Sequence, residues 1–343
     1  MTRILGIETS CDETAIGIVE DGRVIRANAI ATSLAHHAPY GGVIPEIAAR
    51  LHVETIWDVL SQALQEARCT LNDIDAFAVT QGPGLPGALL VGVAFAKGLA
   101  LALDRPLVAV DHLAAHLYAG EMSEPEIEPP YIGLIVSGGH TLLCAAYGEG
   151  KFEVLGQTHD DAVGEAFDKV AKLLGLGYPG GPPIDRIAPE GKADRIAFPR
   201  SQSKHPLDFS FSGLKTAVFQ HLNKPAQHNR PSGENFSGDR QAIADVAASF
   251  QEAAVDMLLV RTARACQRTG ITRIVVGGGV AANSRLRQRF AEAASSKKWR
   301  VVFPPPSLCM DNGAMVAGVA FGRLQRGLLA PLHLTADPDQ CLV

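Results

Sequence analysis

The stretch "AVDHLAAHLYAG" carries two histidines, His112 and His116, four positions apart in an Ala/Leu-rich run. On an α-helix that spacing puts both imidazoles on one face, within reach of a single ion. The peptidase pattern HExxH has the same interval, but there the residue after the first histidine is the glutamate that activates water. Here that position is Leu113, and Ala115 offers no base either. Two imidazoles alone are also compatible with a packed, metal-free helix face. A third ligand is available in Asp311 of "CMDNGAM", where a strand hands over to the last helix. With it the set becomes two imidazoles and a carboxylate, leaving positions open for substrate. The alternative for Asp311 is capping of its helix N-terminus.

Glycine turns supply the second kind of chemistry. "SGGH", Ser137 to His140, lies between two apolar runs, where glycine lets a phosphate or developing oxyanion approach backbone amides. A structural hairpin needs such glycines too. "GGGVAANSRL", Gly277 to Leu286, ends a β-branched run and opens a helix, which points to a nucleotide contact. It fits neither GxGxxG nor GxxxxGK[ST], so neither a nicotinamide cofactor nor a P-loop ATPase is indicated. In the polar turn "TSCDET", Glu13 is a candidate for proton handling or a second cation, although Asp12 and Glu13 could equally be turn charges.

The elements that must carry these residues follow one plan twice. "ILGIE", "AIGIVE" and "RVIRANAI" read as three strands, and so do "YIGLIVS", "LLCAAY" and "KFEVLGQ". Helical stretches follow at Ile44 to Ala67, and in the second half at Ala162 to Leu174 and Ile243 to Thr269. "DAFAVTQGPGLPGALLVGVAFAKGLALAL" is then strand, glycine turn and helix, as is "RIVVGGGVAANSRLRQRFAEAA", and a further strand feeds a helix in each half. A duplicated α/β architecture of two lobes with mixed sheets results. Sites in such a duplication are expected in an interlobe cleft, with Asp311 meeting the imidazoles across it.

The chain has 343 residues, 47% hydrophobic and 20% charged, with net charge −5. It is an ordinary globular composition for two domains, and its acidity argues against strong free-standing nucleic-acid affinity. Six scattered cysteines without a CxxC pair exclude a zinc ribbon and suit reduced, cytoplasmic thiols. The start "MTRILGIETS" lacks a leader pattern, and "ALLVGVAFAKGLALAL" carries Lys97 and reads as a buried helix. No membrane association is expected.

Eight motifs in order, "GIETSCDET", "GPGLPGALLVG", "KGLALALDRPLVAVDHLAAHLYA", "VSGGHT", "GEAFDKVAKLLGLGYPGGPPID", "DFSFSGLKTA", "VVGGGVAANSRLR" and "CMDNGAM", resemble the bacterial TsaD family. These are tRNA N6-adenosine threonylcarbamoyltransferases, formerly labelled O-sialoglycoprotein endopeptidases. The resemblance runs from Ile4 to about Gly327. It implies the actin/Hsp70/sugar-kinase-like (ASKHA) fold, with an N-terminal lobe at 1–130, a C-terminal lobe at 131–309 and a helix near 310–327 packing back near the cleft. It also implies one divalent metal, iron before zinc, on His112, His116 and Asp311, and threonylcarbamoyl-AMP as substrate. The phosphate and acyl group would lie against Ile135, Val136, Ser137, Gly138 and Gly139, the Ser137 to Gly139 amides steadying developing negative charge. Adenosine would meet Asp168, Gly181, Asp185 and Asn283. For Asp168 the alternative is an i+4 pair with Lys172.

Partners implied by the resemblance are tRNA, a TsaB-like paralogue and a TsaE-like ATPase. Lys192, Arg195, Arg200, Lys204 and Lys215, with Phe209 and Phe211 interleaved, are a candidate RNA-facing patch, the phenylalanines being equally suited to a core. Residues 224–240, polar and rich in Pro and Gly, depart from the family pattern and read as a flexible surface loop. Other classes remain: a small-molecule kinase of the same superfamily, a nucleotide-binding scaffold, and a metallopeptidase, which lacks its base.

Overall fold

A computed structural model describes residues 1–148, 150–201, 205–223 and 239–342. The chain forms two compact units, Met1–Glu128 with Pro304–Val343, and Pro129–Phe303. Strands β1 (Arg3–Glu8), β2 (Glu13–Glu20) and β3 (Val24–Thr32) form an antiparallel meander. Helices α1 (Leu34–His37), α2 (Pro45–Ala67), strand β4 (Ala76–Gly82), α3 (Pro86–Leu103), β5 (Leu107–Asp111) and α4 (His112–Ser123) follow. The second unit contains β6 (Tyr131–Val136), β7 (Thr141–Gly148), β8 (Lys151–Gln157), α5 (Val163–Leu173), α6 (Gly181–Ile187), α7 (Ser212–Leu222), α8 (Arg240–Thr269), β9 (Arg273–Gly277), α9 (Ser284–Lys297) and β10 (Arg300–Val302). The chain then returns to the first unit with α10 (Pro306–Cys309) and α11 (Gly313–Gln325).

The repeat read from the apolar runs is present in the pairing. The sheets run β3-β2-β1-β4-β5 and β8-β7-β6-β9-β10, each a meander whose first strand pairs parallel with the fourth. In the first unit, period-two alternation sorts the strands onto two faces. Leu5, Ile7, Ile16, Ile18, Phe77 and Val79 pack under α2 and α3. Ile4, Val19, Ala76 and Ala78 face α11 and α4. On that second face Gly6 and Gly17 admit α11 almost onto the strand backbone. A β-carbon on Gly6 would stand 2.5 Å from Gly313 O, and one on Gly17 2.6 Å from Ala314 Cα. Small residues on one face therefore set how deeply the last helix seats.

Two expectations change. Helix α3 is buried along only one face: Leu89, Val93 and Ala96 are packed, while Leu90 and Leu101 are 60% and 68% exposed. With Val53 and Trp57 of α2 its outer face makes an apolar groove of about 570 Å³. Phe209 and Phe211, left open between an RNA-facing patch and the core, are fully buried and stacked on each other in the second unit's core. Of the neighbouring cations, Arg200 pairs with Asp256 at 2.8 Å and Lys215 with Asp161 at 3.2 Å, leaving Lys192 and Arg195 exposed. Lys204 and residues 224–238 of the polar stretch lie outside the described residues.

Candidate functional site

Strand β5 passes into α4 without a loop, because Asp111 ends the strand and caps the helix, accepting from the Ala114 N–H at 2.8 Å. That cap puts His112 in the first turn and His116 one turn on, their ring centroids 4.6 Å apart. Asp311 comes from the segment returning to this same unit, so the carboxylate is not delivered from the second lobe. Nor does it cap its helix: Asn312 does so, accepting from the Met315 N–H at 2.9 Å. With capping assigned to its neighbour, Asp311 Oδ1 lies 3.0 Å from His116 Nε2 and 3.6 Å from His112 Nε2.

Three donor atoms, all within 4.8 Å of one another, fit a single ion. Ligands about 2.0–2.2 Å from a metal stand roughly 3–3.5 Å apart. His116 strengthens the fit. It is 1% exposed, and neither ring nitrogen has a hydrogen-bond partner among the described residues. A buried imidazole normally satisfies at least one nitrogen.

The sequence reading missed what orients His112. Glu8, at the end of β1, holds its Oε2 3.1 Å from His112 Nδ1, with Ser10 Oγ at 3.2 Å. The Glu8 carboxylate also accepts from Thr80 Oγ1 at 2.6 Å and from the Ser10 N–H at 2.5 Å. This leaves Nε2 turned towards Asp311, the arrangement by which outer carboxylates fix a ligand's tautomer. Burial opposes charge on His112, but Asp311 and Glu8 push its pKa up to about 9. A cation at Nε2 must displace that proton. The one available signal was a charged residue ending a run of buried strand positions.

Glu13 opens β2 and is 5% exposed. Burial, then Asp12 and Asp311, push its carboxyl up to about 10, so beside these carboxylates it is a proton donor at neutral pH. A bound cation would reverse that preference.

The other predicted residues gather in the second unit. Ile135 and Val136 are buried within β6. Ser137 is engaged in its own turn: its N–H donates to His140 O at 2.8 Å and its Oγ accepts from the His140 N–H at 3.0 Å. The exposed donors of that turn are therefore the Gly138 and Gly139 amides, and Ser137 N–H is removed from the expected set. Gly278, at φ +93, packs its Cα against Val136 O, and Gly164 packs against Ser137 O, so the two glycine turns abut. Asp168 accepts from the Gly180 N–H at 2.6 Å, beside Gly181, in place of the i+4 arrangement with Lys172. Asp185 accepts from Ser284 N and Oγ at 3.0 and 2.8 Å. Asn283 caps α9 through Leu286 N–H and donates to Gln251 Oε1 at 2.9 Å, so both ends of its amide are engaged.

Comparison with known proteins gives the family. The family model for TsaD, tRNA N6-adenosine threonylcarbamoyltransferase, matches residues 24–318. A relative of that name from Clostridium kluyveri is 48% identical over 339 residues, covering 98% of this chain and 97% of its own. Another from Kosmotoga olearia is 49% identical over 342 residues, covering 99% of each. Among solved structures, component A of the Acidaminococcus fermentans (R)-2-hydroxyglutaryl-CoA dehydratase superposes with a TM-score of 0.54 at 14% identity. It covers 95% of this chain and 100% of its own. That likeness concerns the fold, which is the duplicated ASKHA architecture.

Proposed function

Because the chain belongs to the TsaD family of tRNA N6-adenosine threonylcarbamoyltransferases, we propose that it moves the threonylcarbamoyl group from threonylcarbamoyl-AMP to N6 of the adenosine 3′ of the anticodon, position 37, in tRNAs reading ANN codons. The N–C bond forms at the carbamoyl carbon, the C–O bond to phosphate breaks, AMP leaves with the electron pair, and the proton that N6 gives up passes to the departing phosphate or to solvent. The adenine amine is a poor nucleophile, its lone pair being delocalised into the ring. The site must therefore orient the two reactants and raise the electrophilicity of the carbamoyl carbon.

His112, His116 and Asp311 hold one divalent metal in this reading. Two imidazoles and one carboxylate with open positions favour iron(II), with zinc as the second choice. The metal supplies Lewis acidity and a template for substrate oxygens. Glu8 holds the His112 ring, the Gly138 and Gly139 amides meet the anionic part of the substrate, and Asp168, Gly181, Asp185 and Asn283 shape the adenosine end. Glu13 handles a proton near the metal set. The single observation carrying this is His116, a buried imidazole whose Nδ1 has no partner among the described residues and whose Nε2 faces, with that of His112, one Asp311 oxygen without hydrogen-bond geometry.

A net charge of −5 calls for basic surface from elsewhere when tRNA binds. A TsaB-like paralogue and a TsaE-like ATPase are the partners in this reading. The reaction belongs in the cytoplasm with its tRNA. The test is transfer of labelled threonylcarbamoyl to an unmodified ANN-reading tRNA with partners present, for wild type and His116→Ala, alongside metal content. Product in wild type, lost together with metal in the variant, is expected. No product from wild type with every partner present would overturn the reading and favour a small-molecule kinase.

A further inference from the structure

The turn between β1 and β2 carries Ser10, Cys11, Asp12 and Glu13, and its Ser10 Oγ touches His112. Two histidines outside the metal set hold its backbone. His52 Nε2 lies 3.0 Å from Cys11 O, and its Nδ1 lies 2.7 Å from Thr14 Oγ1. Ser33 Oγ donates to Asp12 O at 2.7 Å, and His37 Nε2 lies 3.0 Å from Ser33 Oγ. The Ile44 N–H donates to His37 Nδ1 at 3.2 Å.

Donor and acceptor roles follow from chemistry alone. A carbonyl only accepts, so His52 Nε2 bears a hydrogen and Thr14 Oγ1 can donate to Nδ1. An amide N–H only donates, so His37 Nδ1 is an acceptor and Nε2 bears the hydrogen. One directed chain results: Ile44 N–H to His37, His37 to Ser33 Oγ, and Ser33 Oγ–H to Asp12 O.

We propose that His37 is a positioning residue which, through Ser33 and together with His52, sets the turn presenting Asp12 and Glu13 beside the metal ligands. The inference rests on the function proposed above. His37 performs this role only as a neutral ring, because a second proton on Nδ1 would face the Ile44 N–H, donor against donor. His52 is less sensitive, since the Thr14 hydroxyl can rotate to accept. The charged and titratable groups facing His37 are Asp12 and His36; those facing His52 are Glu8, Asp12 and His37. Both rings are buried, and burial pulls both below the ordinary histidine range.

The test compares transfer kinetics of wild type, His37→Gln and His37→Phe between pH 5 and 8.5, with thermal unfolding as a control. Gln keeps a donor for Ser33 without taking up a proton. At pH 8 it should retain kcat within about threefold and lose the part of the acid-side fall that protonation of His37 causes in wild type. Phe should lower kcat at least tenfold with KM for tRNA unchanged. Independently of turnover, long-range 15N–1H NMR on histidine-labelled protein should show both rings as neutral Nε2–H tautomers at pH 7. Wild-type activity in the Phe variant, an unchanged acid limb in the Gln variant, or an Nδ1–H tautomer at His37 would each overturn the proposal. A wild type with correct tautomers but no transfer would instead defeat the functional reading.

Discussion

Gly17→Ala tests whether the seating of α11 controls the metal ligands. The new β-carbon would lie 2.6 Å from Ala314 Cα and closer still to its nitrogen, all of it backbone that no rotamer change can clear. Ordinary carbon contacts begin near 3.5 Å, so the helix start must retreat by about 1 Å. Overpacking of this kind costs about 1–3 kcal/mol, and a backbone clash belongs at the upper end. At about 2–4 °C per kcal/mol for a unit of this size, Tm should fall by roughly 6–12 °C. Asp311 precedes the helix by two residues and sits 3.0 Å from His116 Nε2, so the same retreat opens the ligand set. Metal affinity should fall by at least the 10- to 100-fold that loss of an outer-shell partner produces. Gly98→Ala is the control. Its β-carbon would meet nothing within 4 Å in the middle of α3, so it should stabilise by about 0.5–1 kcal/mol. Thermal unfolding and competitive chelator titration read both effects. A Gly17→Ala protein with wild-type Tm and wild-type metal affinity would refute the reasoning.

Glu8→Gln should weaken metal binding about 10- to 100-fold, measured by equilibrium against a chromophoric chelator, because the amide no longer fixes His112 through a carboxylate. Phe211→Ala should lower stability by about 3–5 kcal/mol in denaturant titration, while native protein keeps its tRNA affinity, since the ring is core. Arg195→Glu should weaken tRNA binding and reduce its salt dependence by about one phosphate, whereas unchanged binding would remove Arg195 from the patch and leave Lys192 alone. Glu20 is held below the ordinary carboxylate range by the hydrogen bond from Arg3, assisted by Arg26. Its stabilisation is therefore present above the unfolded pKa and is lost as pH falls through the lower folded value. Glu20→Gln should flatten the acid side of the stability profile between about pH 5 and 3.

Much of the architecture was legible because it is written in local patterns. Buried strands read as apolar runs, and the duplication of those runs reappears as two sheets with one strand order. The spacing of His112 and His116 places both on a helical face whatever the tertiary structure. What stayed hidden depends on contacts between distant segments. Nothing near Glu8 says that its carboxylate meets His112, 104 positions later. Asp311 and Asn312 are both good caps, and only the helix start decides which is used. "DFSFSG" left its phenylalanines open between a patch and a core, and only the packing puts both in the core. The apolarity of α3 suggested a buried helix, but its outer face forms a groove with α2.

The first unit is discontinuous, and this orders its birth. Ile4, Val19, Ala76, Ala78, Val108 and Val110 lie on the face that α11 covers, and α11 is made only after all of Pro129–Phe303. At about 5–20 residues per second, that interval lasts roughly 10–35 s on the ribosome. During it the nascent sheet carries an apolar face that α4 alone covers in part. The two imidazoles are already on their helix in that period, but the carboxylate that completes the set has not been synthesised. The three candidate ligands are therefore together only once Asp311 has been made.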